Sequence, residues 1–317
     1  MNTKHLLHRE LHPILEAVPP FQFRLDNLER FRSARATAAV LGDADVAGVR
    51  REEVIIKSES TTGDSYDMSC LLYTPKQPGT TGAYLHIHGG GYIGGRKEYS
   101  DPMNTRIAAT LGITVLAVGY RLAPEHKFPA AVDDCLAATS HILANAETFR
   151  LQPGKIAIAG DSAGGNLSAV VCNELNKAGE PMPACQILIY PATRMVNFET
   201  KSRRELDTGV TLDKRLIDYF NDMYLGGIDY DEEDPRLNPA LVEELSGVPP
   251  AHIITAEYDP LRDEGEEYGR LLNQAGVAAS YHCYEGLMHN FILQTAVVSA
   301  ADRAVKDCAD FLKHQLR

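Results

Sequence analysis

A glycine-flanked serine joins a short apolar run to a helical one, and that junction restricts the fold more than any other stretch. Lys155-Ile156-Ala157-Ile158-Ala159 reads as a buried strand, and residues 166–175 read as a helix that stops near Gly179. Between them stands Gly160-Asp161-Ser162-Ala163-Gly164. A chain that passes so directly from strand to helix turns sharply, and the glycines two before and two after Ser162 remove Cβ atoms that would clash. Ser162 then presents its hydroxyl above a sheet edge, where the helix N-terminus favours negative charge. Those are the requirements of a nucleophile in acyl transfer.

The rest of the chain supplies a sheet for that turn. Eight stretches read as strands: Glu53–Lys57, Met68–Tyr73, Ala83–His88, Ile113–Val118, Ile156–Ala159, Gln186–Tyr190, His252–Ala256 and Ala279–Tyr284. The middle ones are unbroken apolar runs, as parallel strands covered on both faces require. Helical patterns fall between them at Met103–Leu111, Ala131–Ala144, Leu167–Lys177 and Glu264–Ala275. The expected class is therefore α/β, with a central, mostly parallel eight-stranded sheet flanked by helices. Two regions break the alternation. In residues 1–44, Pro13 can open a short helix, and Leu25, Leu28, Phe31 and Ala34 line one face of another. Residues 191–240 hold a helix near Leu212–Leu225, closed by Gly226-Gly227. The expected division is a core of 45–190 and 241–317 under a helical cap of 1–44 and 191–240.

Composition narrows the partners. The 317 residues carry a net charge of −12, which disfavours nucleic acid and anionic membranes. No apolar stretch reaches transmembrane length, and the first ten residues lack a signal-peptide core, so a cytoplasmic location is expected. The six cysteines, at 70, 135, 172, 185, 283 and 308, form no C-x-x-C pair and read as reduced, mostly buried thiols.

Upstream of the serine, a strand ends in His88-Gly89-Gly90-Gly91. Consecutive glycines at a strand end expose main-chain N–H groups, which suits an oxyanion hole, and the N–H of Ala163 adds a donor. His88 and Asp161 read as supporting residues rather than proton-transfer groups. Downstream, the seventh strand runs into Asp259 and the eighth into His289. Serine, acid and histidine thus follow successive strands in the order expected of a strand-turn-helix nucleophile. His289 would take the Ser162 proton and Asp259 would hold the imidazole. Glu257, Asp263 and Glu264 compete as acids; Glu257 closes the strand, and the other two suit a helix N-terminus, so Asp259 is preferred. No cofactor and no metal are expected.

Together, HGGG at 88–91, Tyr120-Arg121-Leu122-Ala123-Pro124-Glu125, GDSAGG at 160–165, DPLRDEG at 259–265 and His289 resemble the hormone-sensitive-lipase-like α/β-hydrolases. More narrowly, they are similar to GDSAG-type bacterial carboxylesterases and acetyl esterases, from about residue 50 to the C-terminus. The resemblance implies an α/β-hydrolase fold and a serine carboxylesterase acting on small, short-acyl esters. It also implies a Ser162-Asp259-His289 triad and an oxyanion site around Gly89, Gly90, Gly91 and Ala163, with Gly90 and Gly91 as direct donors. It further implies cis bonds before Pro124 and Pro129, and it allows a homodimer through the eighth-strand edge. Three residues depart from the family's usual pattern: Gly119, Asn290 and Asn238.

Other readings carry less. His5, His8 and His12 recur at near-helical spacing, but the glutamate is misplaced for a zinc helix, so a solvated face is expected. Asp229–Asp234 lacks the spacing of a calcium loop and reads as an exposed turn. Two alternative functions remain open: an amidase or deacetylase with the same chemistry, and a binding protein like the gibberellin receptors. Those receptors resemble the esterases but lack a competent histidine, whereas this chain has one.

Overall fold

In the computed structural model, the described residues are 7–17, 28, 29, 31, 32, 48–59, 65–79, 82–196, 198–206 and 212–317. The eight expected strands are all present. They are β1 (Val49–Glu59), β2 (Ser65–Pro75), β3 (Ala83–Ile87), β4 (Thr114–Val118), β5 (Ile156–Asp161), β6 (Gln186–Ile189), β7 (Ala251–Tyr258) and β8 (Ala279–Met288). They form one sheet in the order β1-β2-β4-β3-β5-β6-β7-β8. The β1–β2 and β2–β4 pairs are antiparallel; from β4 through β8 the pairing is parallel.

The helices are α1 (His12–Ala17), α2 (Asp101–Leu111), α3 (Ala130–Ala144), α4 (Ala163–Ala178), α5 (Lys201–Glu205), α6 (Lys214–Leu225), α7 (Arg262–Gln274) and α8 (Ser299–Gln315). Period-two side-chain direction divides the core. Leu85, Ile87, Ile156 and Ile158 pack with α3 and α4, while Tyr84, Ala157, Ala159, Ile187 and Ile189 pack with α2 and α8. Both faces are thus covered, which is why the central runs are apolar throughout.

Helix ends follow local chemistry. Gly112 and Gly179 close α2 and α4 in left-handed geometry. Asp213 caps α6 by accepting from the Leu216 N–H. Helix α4 begins at Ala163, ahead of the expected start at 166–167, because Gly164 and Gly165 pack closely enough to be drawn into its first turn. The peptide bonds before Pro124 and Pro129 are cis, as the resemblance implied.

Topology places the site. The chain lays β4 outside β3 and then returns to lay β5 on the other side, so β3 and β5 are neighbours with His86 opposite Ala159. The C-terminal ends of β3 and β5 therefore meet at the switch point of the sheet, where open α/β folds place their ligands. Of the expected N-terminal helix face, Leu28 and Phe31 pack against the core, while Leu25 and Ala34 lie outside the described residues.

Candidate active site

Ser162 sits between β5 and α4 with φ 58° and ψ −118°, a conformation that L-residues rarely adopt. Holding a non-glycine residue there costs about 1–3 kcal/mol, so the surroundings must impose it. They do so through close main-chain approach. A Cβ on Gly160 would lie 2.2 Å from the Gly164 carbonyl oxygen, and a Cβ on Gly164 would lie 2.0 Å from the Ile87 oxygen. The Ser162 N–H donates to the Ile189 carbonyl at 2.9 Å. Nothing larger than glycine fits at either flank.

The sequence-predicted acid and base converge on this serine. Ser162 Oγ lies 3.0 Å from His289 Nε2, and His289 Nδ1 lies 2.7 Å from Asp259 Oδ2. Asp259 is fully buried and its other oxygen accepts from the Leu261 N–H at 2.9 Å. The line of contacts orients the imidazole with Nδ1 toward the carboxylate and Nε2 toward the hydroxyl. The ring of Tyr190, at the end of β6, lies 4.6 Å from the imidazole and limits its swing. Of the competing acids, Glu257 accepts from the Gly286 N–H and Asp263 from the Ser202 N–H. Neither contact involves the imidazole.

The glycine loop after β3 stands beside the serine. Gly90 and Gly91 have φ of 130° and 62°. A Cβ on Gly90 would meet the Gly94 oxygen at 2.1 Å, and one on Gly91 would meet the Phe220 ring at 2.3 Å. Gly89 differs from them. A Cβ on Gly89 would lie 2.5 Å from Asp161 Oδ2. Burial would raise the Asp161 carboxyl, but its contact with His86 holds its pKa below the ordinary value. His86, expected beneath this loop, has Nε2 3.2 Å from Asp161 Oδ1 and Nδ1 3.3 Å from the Tyr84 hydroxyl.

His88 bonds to the Gly89 carbonyl through Nδ1 at 2.9 Å and stacks on Tyr120 at 4.3 Å. The Tyr120 hydroxyl donates to the His88 carbonyl at 2.8 Å. Burial pushes the His88 pKa down to about 4, which keeps the ring neutral.

The three departures from the family pattern have local reasons. A Cβ on Gly119 would lie 2.0 Å from the Ser69 oxygen, so no side chain fits. Asn290 takes φ 69°, a region that asparagine tolerates, and opens the short helical turn after His289. Asn238 accepts from the Met195 N–H at 2.7 Å and donates to the Glu232 carbonyl at 2.8 Å, tying the insertion after β6 together.

Sequence reasoning did not find the partner of Glu264. This carboxylate is fully buried, 2.7 Å from Arg203 Nη2, and accepts from the Thr193 N–H at 3.0 Å. Burial raises it, Arg203 offsets part of that, and its pKa is pushed up to about 7. The two residues lie 61 positions apart across the insertion, and no local motif links them. Among the described residues no cluster of three or more metal-ligating side chains occurs. His8 and His12 instead contact Glu10 and the Leu7 carbonyl, and His5 lies outside the described residues.

The α/β sheet that carries these residues agrees with the comparisons. Residues 84–293 match the family described as alpha/beta hydrolase fold. The carboxylic ester hydrolase LipN of Mycobacterium tuberculosis is 42% identical over 239 residues, which cover 74% of this chain and 63% of that protein's length. An ethyl acetate hydrolase of Pseudomonas putida is 33% identical over 285 residues, 89% of this chain and 87% of the relative. Among solved structures, a hyperthermophilic esterase of the archaeon Pyrobaculum calidifontis superposes with TM-score 0.90 at 35% identity, covering 97% of this chain and 98% of that one. A bacterial heroin esterase does so with TM-score 0.91 at 32% identity over 100% of each chain. The chain belongs to the alpha/beta hydrolase family, in its hormone-sensitive-lipase-like branch.

Proposed function

We propose that the protein is a carboxylic ester hydrolase that cleaves short-chain acyl esters through an acyl-enzyme on Ser162, with His289 as base and acid and Asp259 as its orienting carboxylate. The observation that carries this reading is the unbroken line from buried Asp259 through His289 to Ser162 Oγ, at 2.7 and 3.0 Å.

Ser162 Oγ attacks the ester carbonyl carbon while His289 Nε2 takes the hydroxyl proton. The carbonyl oxygen becomes an oxyanion beside the N–H groups of Gly90, Gly91 and Ala163. Of the three loop glycines, Gly90 and Gly91 are the direct donors that the family resemblance implies. Collapse of the adduct breaks the bond to the alcohol oxygen, which leaves with the proton held on Nε2. Water then repeats the sequence on the acyl-enzyme and releases the acid. The helix dipole of α4 and the fixed main-chain donors stabilise the developing charge without reorganising.

Preference for short acyl chains is supported by the aromatic packing over the glycine loop. The Phe220 ring occupies the place a Cβ on Gly91 would take, Phe31 lies 5.6 Å from it, and Tyr92 stacks on Tyr224 at 4.2 Å. Each acyl methylene gains about 0.8 kcal/mol only while it is buried, so a bounded pocket caps the gain. A small-molecule ester as substrate, without nucleic acid or membrane partners, suits the net charge of −12, and no described helix is long and apolar enough to cross a membrane. Strand β8 is a sheet edge, the place where the resemblance allows a homodimer.

A p-nitrophenyl ester series from acetyl to dodecanoyl tests the reading. kcat/KM is expected to peak between acetyl and hexanoyl and then fall. A value still rising at dodecanoyl would replace this reading with a lipase, and faster turnover of the matching p-nitroanilide would replace it with an amidase.

A further inference from the structure

The turn that carries Asp259 is held from the side by the insertion between β6 and β7. Ser202 Oγ donates to the Pro260 carbonyl at 2.8 Å, and the Ser202 N–H donates to Asp263 Oδ2 at 2.7 Å. Five residues beyond Asp259, the Glu264 carboxylate meets Arg203 at 2.7 Å, and the Glu264 carbonyl accepts from the Thr193 hydroxyl at 2.9 Å. Arg203 is itself 13% exposed and donates to the Arg194 carbonyl at 2.6 Å and the Phe198 carbonyl at 3.3 Å. A single guanidinium thus binds two carbonyls of the insertion and one buried carboxylate of α7.

A buried ion pair is poor evidence for stability, because desolvating two charges consumes most of what their attraction returns. The geometry suits a different use. Glu264 and Asp259 are two fully buried carboxylates five residues apart, and Arg203 is the cation beside Glu264. Arg203 neutralises the Glu264 charge and fixes the first turn of α7, from which the Asp259 turn hangs. Asp263 takes the Ser202 N–H and pairs with Arg262, Glu267 pairs with Arg194, and the Tyr92 phenol also faces Glu264.

Resting on the triad reading above, we propose that Arg203, acting through Glu264, is a positioning residue that keeps Asp259 Oδ2 in register with His289 Nδ1. The insertion that covers the site is then also the part that sets its acid.

The test is steady-state hydrolysis of p-nitrophenyl butyrate by wild type, Arg203→Met, Arg203→Lys and Glu264→Gln, with the folded fraction of each read by circular dichroism. Displacing a catalytic group by about 1 Å costs on the order of 100-fold, so Arg203→Met is expected to lose about 10- to 100-fold in kcat per folded molecule, with KM within about twofold. Arg203→Lys keeps the charge and is expected to recover most of that loss. Should Arg203→Met not fold, Glu264→Gln, which retains the shape, is expected to lose kcat at constant KM. A folded Arg203→Met or Glu264→Gln with wild-type kcat overturns the proposal. So does a loss carried by KM, or a lysine that recovers nothing. An inactive wild type would instead overturn the ester-hydrolase reading, and the two failures are separate.

Discussion

The two sides of the site are built by different means. On the nucleophile side, Ser162, Gly160, Gly164 and Gly90 are fixed by main chain pressed against main chain, at separations where even a methyl group is excluded. On the acid side, Asp259 is reached through side chains: Ser202, Arg203, Asp263 and Glu264 bridge an insertion to a helix. The first arrangement is set mainly by steric contact, with the buried Asp161–His86 pair beneath the glycine loop. The second contains a carboxyl whose pKa burial lifts to about 7, so its strength varies with pH. The Ser162 turn is thus placed chiefly by close main-chain packing, and the Asp259 turn chiefly by a polar side-chain network.

The largest expected effect lies at the point where the two sides meet. Ser162→Ala should lower kcat by about three to six orders of magnitude, because nucleophile and base act as a unit. Its melting temperature should stay near wild type. Full turnover in that variant would place the chemistry elsewhere.

Glycine substitutions break the comparison more selectively. Gly164→Ala puts a Cβ 2.0 Å from the Ile87 oxygen and 2.7 Å from the His88 oxygen, both main chain. It should cost about 3 kcal/mol or more, or prevent folding, since overpacked backbone has nowhere to relax. Gly269→Ala, on α7, meets only the Ile253 side chain, at 3.1 Å. Alanine's better helix propensity offsets that contact, so the change should stay within about 1 kcal/mol. Denaturant melts of the two variants decide it, and equal losses would mean that the main-chain clamp is not special.

The smallest effect is the most discriminating. Glu264 has a folded pKa near 7 against an ordinary 4.5, so the folded protein holds the proton more tightly. That contribution to stability is present below the unfolded value and is lost as pH rises through 7. His88 is the opposite case: its pKa falls from 6.5 to about 4, so its contribution is present above 6.5 and is lost as pH falls toward 4. The two oppose each other between pH 6.5 and 4.5. Replacing Glu264 by Gln removes one of them. Wild type should therefore gain on Glu264→Gln by roughly 2–5 °C in Tm as pH falls from 8 to 5. A gap that does not change with pH would show that Glu264 ionises alike in both states.

The same division explains what could be read from the sequence. The Ser162 turn, the glycine loop and the positions of Asp259 and His289 are written in short contiguous motifs, and all eight strands lie where apolar runs placed them. Helix α8 was not anticipated. Its buried face is mostly Ala300, Ala301, Ala304, Cys308 and Ala309, small residues that give a weak periodic signal. Arg203 was missed because its partner lies across the insertion and Glu264 looked like an ordinary helix-start acid. Contacts between distant side chains have no local signature, and the acid side consists of such contacts. The cap assigned to residues 1–44 falls largely outside the described residues.

The central claim is that Ser162 carries the acyl group. Treatment with a p-nitrophenyl alkylphosphonate, followed by intact-mass and peptide analysis, tests it most directly. One phosphonyl group per chain should appear on the peptide containing Ser162, release one equivalent of p-nitrophenol, and extinguish ester hydrolysis in proportion to labelling. Complete inhibition with Ser162 unmodified, or full activity with Ser162 labelled, would contradict the account.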